Sequence, residues 1–262
     1  MRCIILASGS KGNCMYIEGG HGAILLDAGL SFRETAARLA RAGGSMDRVE
    51  AVLVTHEHSD HIKGVDAVSG KLKVPVYATK GTLREFFRTR RTAKRDQETI
   101  ACHFGEEYTI GDFSIEAIAT SHDAAEPCGF LVREGDLGIG CCTDTGVVTD
   151  AMLTRFRQCD AVVLESNHCP VMLREGPYPE MLKRRIRSKH GHLSNTVTAG
   201  CLQSLGRDVS HVVLAHLSEV NNTPDKAKAS AMNGLGLFMN EVCLTVATQA
   251  GSTPDDPQQI VL

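Results

Sequence analysis

Apolar residues in this chain come mostly in short runs, and longer amphipathic stretches lie between them. The runs Cys3–Ala7, Met15–Glu18 and Ala23–Asp27 predict strands joined by Gly-rich turns. Ser31–Ala42 predicts a helix. Ala36, Leu39 and Ala40 fall on one face, Ser31 with Glu34 forms a capping box, and Gly43 stops it. A strand at Ala51–Thr55 follows, then a helix after His61, a strand at Val74–Ala78 and a basic helix from about Thr82. From Thr99 to Cys142 the pattern is mostly strand: "EEYTI", "FSIEAIA", "GFLVRE", "LGIGCCT". The last third alternates again. Strands are expected at Ala161–Glu165, His211–Ala215 and Val242–Val246, with helices near Met152–Arg157, Glu180–Arg187, Ser194–Leu205 and Lys226–Leu235. Strands grouped in each half, with helices between and after them, predict an α/β chain of the α+β type: two sheets covered by helices.

Composition narrows this picture. At 262 residues, 42% hydrophobic and 23% charged, the chain supports an ordinary globular core. With 31 acidic and 28 basic residues it has no uniformly basic coat, so any polyanion site must be a local patch. No apolar stretch nears the about 18 residues of a membrane span, and "MRCIILASGS" is too short in its apolar part for a secretory signal. The ten cysteines form no C-x-x-C pair, and Cys3, Cys141, Cys142 and Cys243 lie in apolar runs. They predict reduced, buried thiols and a cytoplasmic protein. Oligomeric state is left open.

One segment changes the reading from fold to chemistry. "LVTHEHSDHIKGV" places His56, His58, Asp60 and His61 directly after an apolar strand. Imidazole and carboxylate suit zinc, manganese or iron(II). A tight turn at the strand end can aim His56 and His58 one way and Asp60 with His61 the other, so one segment can serve two metals. His122, Asp144 and His216 each follow a later predicted strand. Singly each reads better as an ordinary loop residue; together they complete a set of seven donors.

Two basic clusters stand against the acidic remainder. Residues 80–95 carry Lys80, Arg84, Arg88, Arg90, Arg91, Lys94 and Arg95 against Glu85; residues 182–192 carry Lys183, Arg184, Arg185, Arg187 and Lys189. Each is either a solvated helix face or a guide for a phosphate backbone. Phe86 and Phe87 are candidates for base stacking or for the core. The turn "SGSKGN", Ser8–Asn13, is either a plain hairpin turn or an amide cradle for phosphate.

Taken together, "LASGSKGNC", "LLDAGLS", "VTHEHSDHIKGV", "SHDAAEPCGF", "GHLSN" and "HLSEVNNTP" resemble the metallo-β-lactamase superfamily, and within it the YycJ/WalJ-like exonuclease group. The resemblance spans nearly the whole chain. It implies one metallo-β-lactamase-like domain over residues 1–262 and a four-layer αββα sandwich. It implies two divalent ions, zinc or manganese with iron possible. His56, His58 and His122 would hold one ion, Asp60, His61 and His216 the other, and Asp144 would bridge them. Asp27 in "LLDAG" matches a buried aspartate that orients the histidine loop. Glu165, ending "AVVLE", and His192, opening "HLSN", are similar to a Glu and a His that assist cleavage in the tRNA-processing branch. Leu193 departs from that branch's "HST"-like segment, so His190 and His168 stay open as alternative acids. Asp60, His192 and Glu165 are thus expected to be catalytic. Ser8, Ser10, Asn13, Ser194, Asn195, Arg184, Arg185 and Arg187 are expected to meet substrate or phosphate.

The implied reaction is phosphodiester hydrolysis by a metal-bridging hydroxide, with His192 as proton donor. The implied substrate is nucleic acid, DNA attacked from the 5′ end before RNA, with no membrane partner. A thioester or small cyclic-ester hydrolase shares the seven donors, and a non-catalytic metal-holding module is the third alternative. Asp144, where lactam hydrolases commonly place a Cys, argues against that chemistry.

Overall fold

A computed structural model describes residues 1–89, 97–253 and 256–262. Its strands are β1 Arg2–Ala7, β2 Cys14–Glu18, β3 Ala23–Leu26, β4 Val49–Leu53, β5 Val76–Thr79, β6 Thr99–Cys102 and β7 Glu107–Ile110. They continue as β8 Phe113–Ala119, β9 Cys128–Glu134, β10 Leu137–Cys142, β11 Ala161–Glu165, β12 His211–Ala215, β13 Cys243–Val246 and β14 Gln259–Val261. The helices are α1 Phe32–Arg41, α2 Ser59–Ile62, α3 Val65–Leu72, α4 Lys80–Thr89, α5 Asp150–Phe156, α6 Pro170–Glu175, α7 Glu180–Ile186, α8 Asn195–Leu205 and α9 Pro224–Leu235. Among the described residues two seven-stranded mixed sheets form, in the orders β14-β1-β2-β3-β4-β5-β6 and β13-β12-β11-β10-β9-β8-β7.

The central strands are apolar on both faces, and the period of two explains why. In β1, Cys3 and Ile5 face the other sheet, while Ile4 and Leu6 face helices. In β11, Val163 joins the inter-sheet core with Phe113, Phe130 and Val132, whereas Val162 and Leu164 face the second helical layer. Leu39 of α1, Val65 and Val68 of α3 and Phe86 of α4 cover the first sheet. Met152 and Phe156 of α5, Leu202 of α8 and Ala231 of α9 cover the second. The expected four layers, αββα, are present. No helix among the described residues is long and apolar enough to cross a membrane.

Several elements differ from the pattern. The third strand ends at Leu26 because Asp27 turns left-handed (φ 57°). Ser31 caps α1 by accepting from Glu34 N, but the Glu34 carboxylate takes Arg38 Nε (2.8 Å) instead of closing a capping box. α4 starts at Lys80, directly after β5, not at Thr82. α6, with Pro170 in its first turn, and the three-residue β14, which pairs antiparallel with β1, carry too little periodicity to be predicted. Eight of the ten cysteines are buried, but Cys243, expected inside, is exposed on the edge strand β13.

The sheets matter for the site because their parallel steps, β3-β4-β5 and β10-β11-β12, put successive strand ends at one rim. Asp27 follows β3, the histidine segment β4, Asp144 β10, Glu165 ends β11, and His216 follows β12.

Candidate metal centre

Leaving β4, the chain stays buried through Val54, Thr55 and His56, then turns into the single helical turn α2 that carries Asp60 and His61. Asp27 fixes this turn. Its carboxylate accepts from Thr55 N (2.9 Å), from Thr55 Oγ1 (2.9 Å) and from His61 Nδ1 (2.7 Å). Thr55 Oγ1 in turn accepts from His56 Nδ1 at 3.0 Å. The loop of Gly29 backs onto α2 so closely that a Cβ there would lie 1.7 Å from the Asp60 carbonyl oxygen, so only glycine fits.

The same arrangement recurs on the other donors. His122 Nδ1 donates to Gly191 O (3.0 Å), and His216 Nδ1 to Glu165 Oε1 (3.0 Å). The imidazoles of His56, His61, His122 and His216 are therefore held by Nδ1 and turn Nε2 to the centre, which fixes tautomer and direction. Ligand atoms of His56, His58 and His122 lie within 4.8 Å of one another, and so do those of Asp60, His61 and His216. Asp144 reaches both sides: it groups with His56 and His61, and with His216. Three buried atoms at the centre, His56 Nε2, Asp144 Oδ2 and His216 Nε2, have no hydrogen-bond partner among the described residues. Buried polar atoms left so are costly, and cations would satisfy all three. On this fold the His/Asp clusters fit a dinuclear divalent-metal site; nitrogen and oxygen donors alone do not choose the metal.

Backbone strain concentrates here. Four non-glycine residues among those described have positive φ, and three are Asp27 (57°), Asp144 (54°) and His216 (55°). Such residues cost energy and persist where surrounding structure overdetermines them.

The charges are mutually dependent. Burial lowers the pKa of His61, but the Asp27 and Asp144 carboxylates outweigh it and hold the imidazole well above its ordinary range. Burial likewise opposes charge on His216, yet Asp144, Asp60 and Glu165 raise it to about 10. Burial would raise Asp144, but His216 and His61 keep it well below the carboxylate range. His56 and His122 are lowered, chiefly by burial.

Beside the donors stands a pair that contributes no histidine to either triplet. His192 Nδ1 donates to Glu165 Oε1 at 2.7 Å. Glu165 is fully buried, and its Oε2 accepts from Thr145 N (3.0 Å) and Leu193 N (3.1 Å). Burial works against a charged His192, but the Glu165 carboxylate prevails and raises its pKa. His190 instead lies on the surface against Ser121 Oγ (3.1 Å). His168 is buried, which lowers its pKa to about 4.

The expected substrate residues divide. Ser10, Tyr178, Arg185, His192 and His216 line one pocket of about 220 Å³. Arg187 and Ser194 line another with His168 and His192. Ser8 and Asn13 are buried and brace the donors: Ser8 Oγ accepts from His216 N (2.7 Å), and Asn13 Nδ2 lies 3.2 Å from Asp60 Oδ2. Asn195, expected to meet phosphate, points inward and exchanges a reciprocal amide pair with Asn222 at 2.9 Å. Arg184 is exposed and pairs with Glu180 at 3.4 Å, outside either pocket. Of the first basic cluster, Arg84 and Arg88 both pair with Glu85, and Arg88 edges a groove with His58 and Lys63. Arg90, Arg91, Lys94 and Arg95 lie outside the described residues. Phe86 is core and Phe87 is exposed.

Thr55 was not singled out by sequence, although its place between strand and first histidine is the one local signal for it. Tyr178 offered none.

The family model of the β-lactamase superfamily domain matches residues 23–217. Exodeoxyribonuclease YycJ of Bacillus anthracis is 40% identical over 227 residues, 86% of this chain and 86% of its own. Exodeoxyribonuclease WalJ of Streptococcus pneumoniae serotype 2 is 36% identical over 233 residues, 88% of this chain and 87% of its own. Among solved structures, the metallo-β-lactamase fold protein YhfI of Bacillus subtilis matches with a TM-score of 0.74 over 99% of both chains, at 14% identity, a likeness of fold.

Proposed function

The chain belongs to the β-lactamase superfamily, and from that premise we propose that it is a dinuclear metal-dependent phosphodiesterase, a DNA exonuclease working 5′ to 3′. The observation that carries this reading is the His192–Glu165 pair, 2.7 Å apart and beside the seven donors. A departing nucleoside oxygen needs a proton, and on this reading His192 gives it. The exodeoxyribonuclease names of the similar YycJ and WalJ support DNA as the polymer.

His56, His58 and His122 would hold one ion, Asp60, His61 and His216 the second, and Asp144 both. Ions bound there supply Lewis acidity and water activation at neutral pH. The remaining work falls to the chain. Asp27 and Thr55 hold the histidine loop in register. Glu165 anchors Nδ1 of His192 and stabilises its charged form, which leaves Nε2 to face the leaving oxygen. Arg185, tied to Asp123 at 2.6 Å, and Arg187 border the two pockets that meet at His192 and supply charge for the phosphate backbone.

End-labelled DNA and RNA, incubated with metal-loaded protein beside a thioester control, test this reading. Mononucleotide release from the 5′ end of DNA is expected. Turnover of the thioester alone would overturn it, and preferred loss of RNA would change the polymer. Replacing Arg185 and Arg187 by Gln should flatten the plot of log affinity against log salt for single-stranded DNA by about 1.4, or about 0.7 for each phosphate contact. Arg184→Gln should leave the slope in place. Asp27→Asn tolerates the left-handed backbone but cannot accept from both Thr55 and His61. It should weaken metal binding about 10- to 100-fold in a chelator competition. An unaltered affinity would remove the orienting role.

A further inference from the structure

The pocket that holds Arg185 and His192 on its border has an apolar wall as well. Tyr178, Leu182, Ile186 and Leu217, all half-buried, line it. Leu182 and Ile186 stand four positions apart on α7, so they share the face turned to the pocket. Tyr178 is presented on a stiff turn between α6 and α7. Pro177 and Pro179 flank it; the first has a fixed φ, and the second biases Tyr178 itself away from helical backbone. Gly176 N donates to Met172 O (2.7 Å), and Lys183 Nζ donates to Arg174 O (2.7 Å), which ties the turn to both helices. Among the described residues the Tyr178 hydroxyl has no hydrogen-bond partner, and its ring meets no other ring.

A polar group is held ready beside this wall. Asn167 lines the same pocket and is 7% exposed. Its backbone N donates to Leu193 O (2.9 Å), and its Nδ2 donates to the His216 carbonyl (2.9 Å), which leaves Oδ1 as the open end of the amide. Oδ1 has no partner among the described residues, and unlike His168 Nδ1 it is not sealed from solvent. An open acceptor on a rigid frame, next to an aromatic ring and aliphatic side chains, suits a flat ligand with apolar faces and N–H groups on its edge. A nucleobase has that chemistry. The pocket's about 220 Å³ equals about seven waters at about 30 Å³ each, room enough for one base.

We infer that Tyr178, Leu182, Ile186 and Asn167 form a nucleobase pocket, in which a base stacks on Tyr178 and donates an edge N–H to Asn167 Oδ1. This rests on the nuclease reading above. Because His192, the proton donor of that reading, borders the pocket, the base belongs to one of the two nucleosides that flank the cleaved bond. Every base has a π-face and an edge N–H, so the pocket registers the presence of a base rather than a sequence.

The test removes the base and keeps the backbone. Single-stranded oligonucleotides carry a tetrahydrofuran abasic residue as either the first or the second nucleotide. With metal-loaded wild-type protein, one of the two should raise KM about ten-fold with little change in kcat, within the range for one base stacked on an aromatic side chain, and which one does so identifies the nucleoside. In Tyr178→Ala, KM for the intact oligonucleotide should already be about ten-fold higher, and the same abasic residue should add less than about two-fold. Tyr178→Phe keeps the ring and should keep the abasic penalty. Leu182→Ala should shrink that penalty too, and it serves if Tyr178→Ala does not fold. No penalty in wild type, or equal penalties in wild type and the alanine variants, would overturn the pocket. The chain has no tryptophan, so Tyr178→Trp supplies a fluorescent reporter that needs no cleavage. Saturable quenching by deoxyadenosine 5′-monophosphate, and none by deoxyribose 5-phosphate, is expected. Such quenching without cleavage of DNA or RNA would leave the pocket and remove the nuclease; cleavage without quenching would do the reverse.

Discussion

Asp144→Ala is expected to stop phosphodiester cleavage, by on the order of 10³-fold or more, and to leave the protein with one metal equivalent where the wild type retains two. The size follows from position. Asp144 is the carboxylate that groups with donors of both triplets, and it is 3% exposed. Its Oδ2 lies 3.2 Å from His61 Nε2 and its Oδ1 3.3 Å from His216 Nδ1, so two raised imidazoles lose their counter-charge together. A factor of 10³ is about 4 kcal/mol of transition-state stabilisation, within the range for one preorganised electrostatic group. Alanine also strains a backbone at φ 54°, so Asp144→Asn, which suits that conformation, is the companion variant. Metal content by mass spectrometry and turnover on labelled DNA read both outcomes. Full metal content with full turnover in either variant would end the bridging assignment.

His192→Ala should separate binding from chemistry. His192 belongs to neither proposed triplet, and Glu165 still holds His216 without it, so both metals should stay, while kcat falls about 10²- to 10⁴-fold, the range for loss of a positioned acid. The pH profile carries the sharper signature. Because Glu165 raises the pKa of His192, the acid form persists to higher pH than that of an ordinary imidazole. The rate should then fall as pH rises through that raised value, and His192→Ala should lose this alkaline limb. A p-nitrophenyl phosphodiester, whose leaving group needs no proton, should feel the substitution far less than DNA does. An unaltered rate on DNA would move the proton role elsewhere. His190, turned to Ser121 on the surface, and His168, neutral in its own pocket, are poorly prepared to take it.

How much of this was legible beforehand follows from what kind of signal each feature leaves. The sandwich was legible because its central strands are apolar on both faces, and because parallel neighbours require helices between them. β14 and α6 were not, since three or six residues hold no period. The convergence of the seven proposed donors was legible because the histidine segment and the three later residues each come after a strand, and strands bring their ends to a common rim. Bracing residues were harder. Ser8 meets His216 across 208 positions of sequence, and nothing local to either residue announces the contact. For the same reason Asn195 looked like a substrate residue beside Ser194, when its amide in fact answers Asn222. The left-handed turn at Asp27 ended the third strand a residue early for a similar cause: tertiary contacts override local preference there.

The donors are shared between the sheets. His56, His58, Asp60 and His61 hang from β4 in the first, whereas His122, Asp144 and His216 follow β8, β10 and β12 in the second. On the proposed ligand set, each ion is therefore a rivet across the mouth of the sandwich as well as a tool. Thermal unfolding must then obey mass action: free metal at a hundred times its dissociation constant adds about 2.7 kcal/mol for each independent site. A cell short of that ion would carry a looser molecule, open to proteases at the same rim where it works.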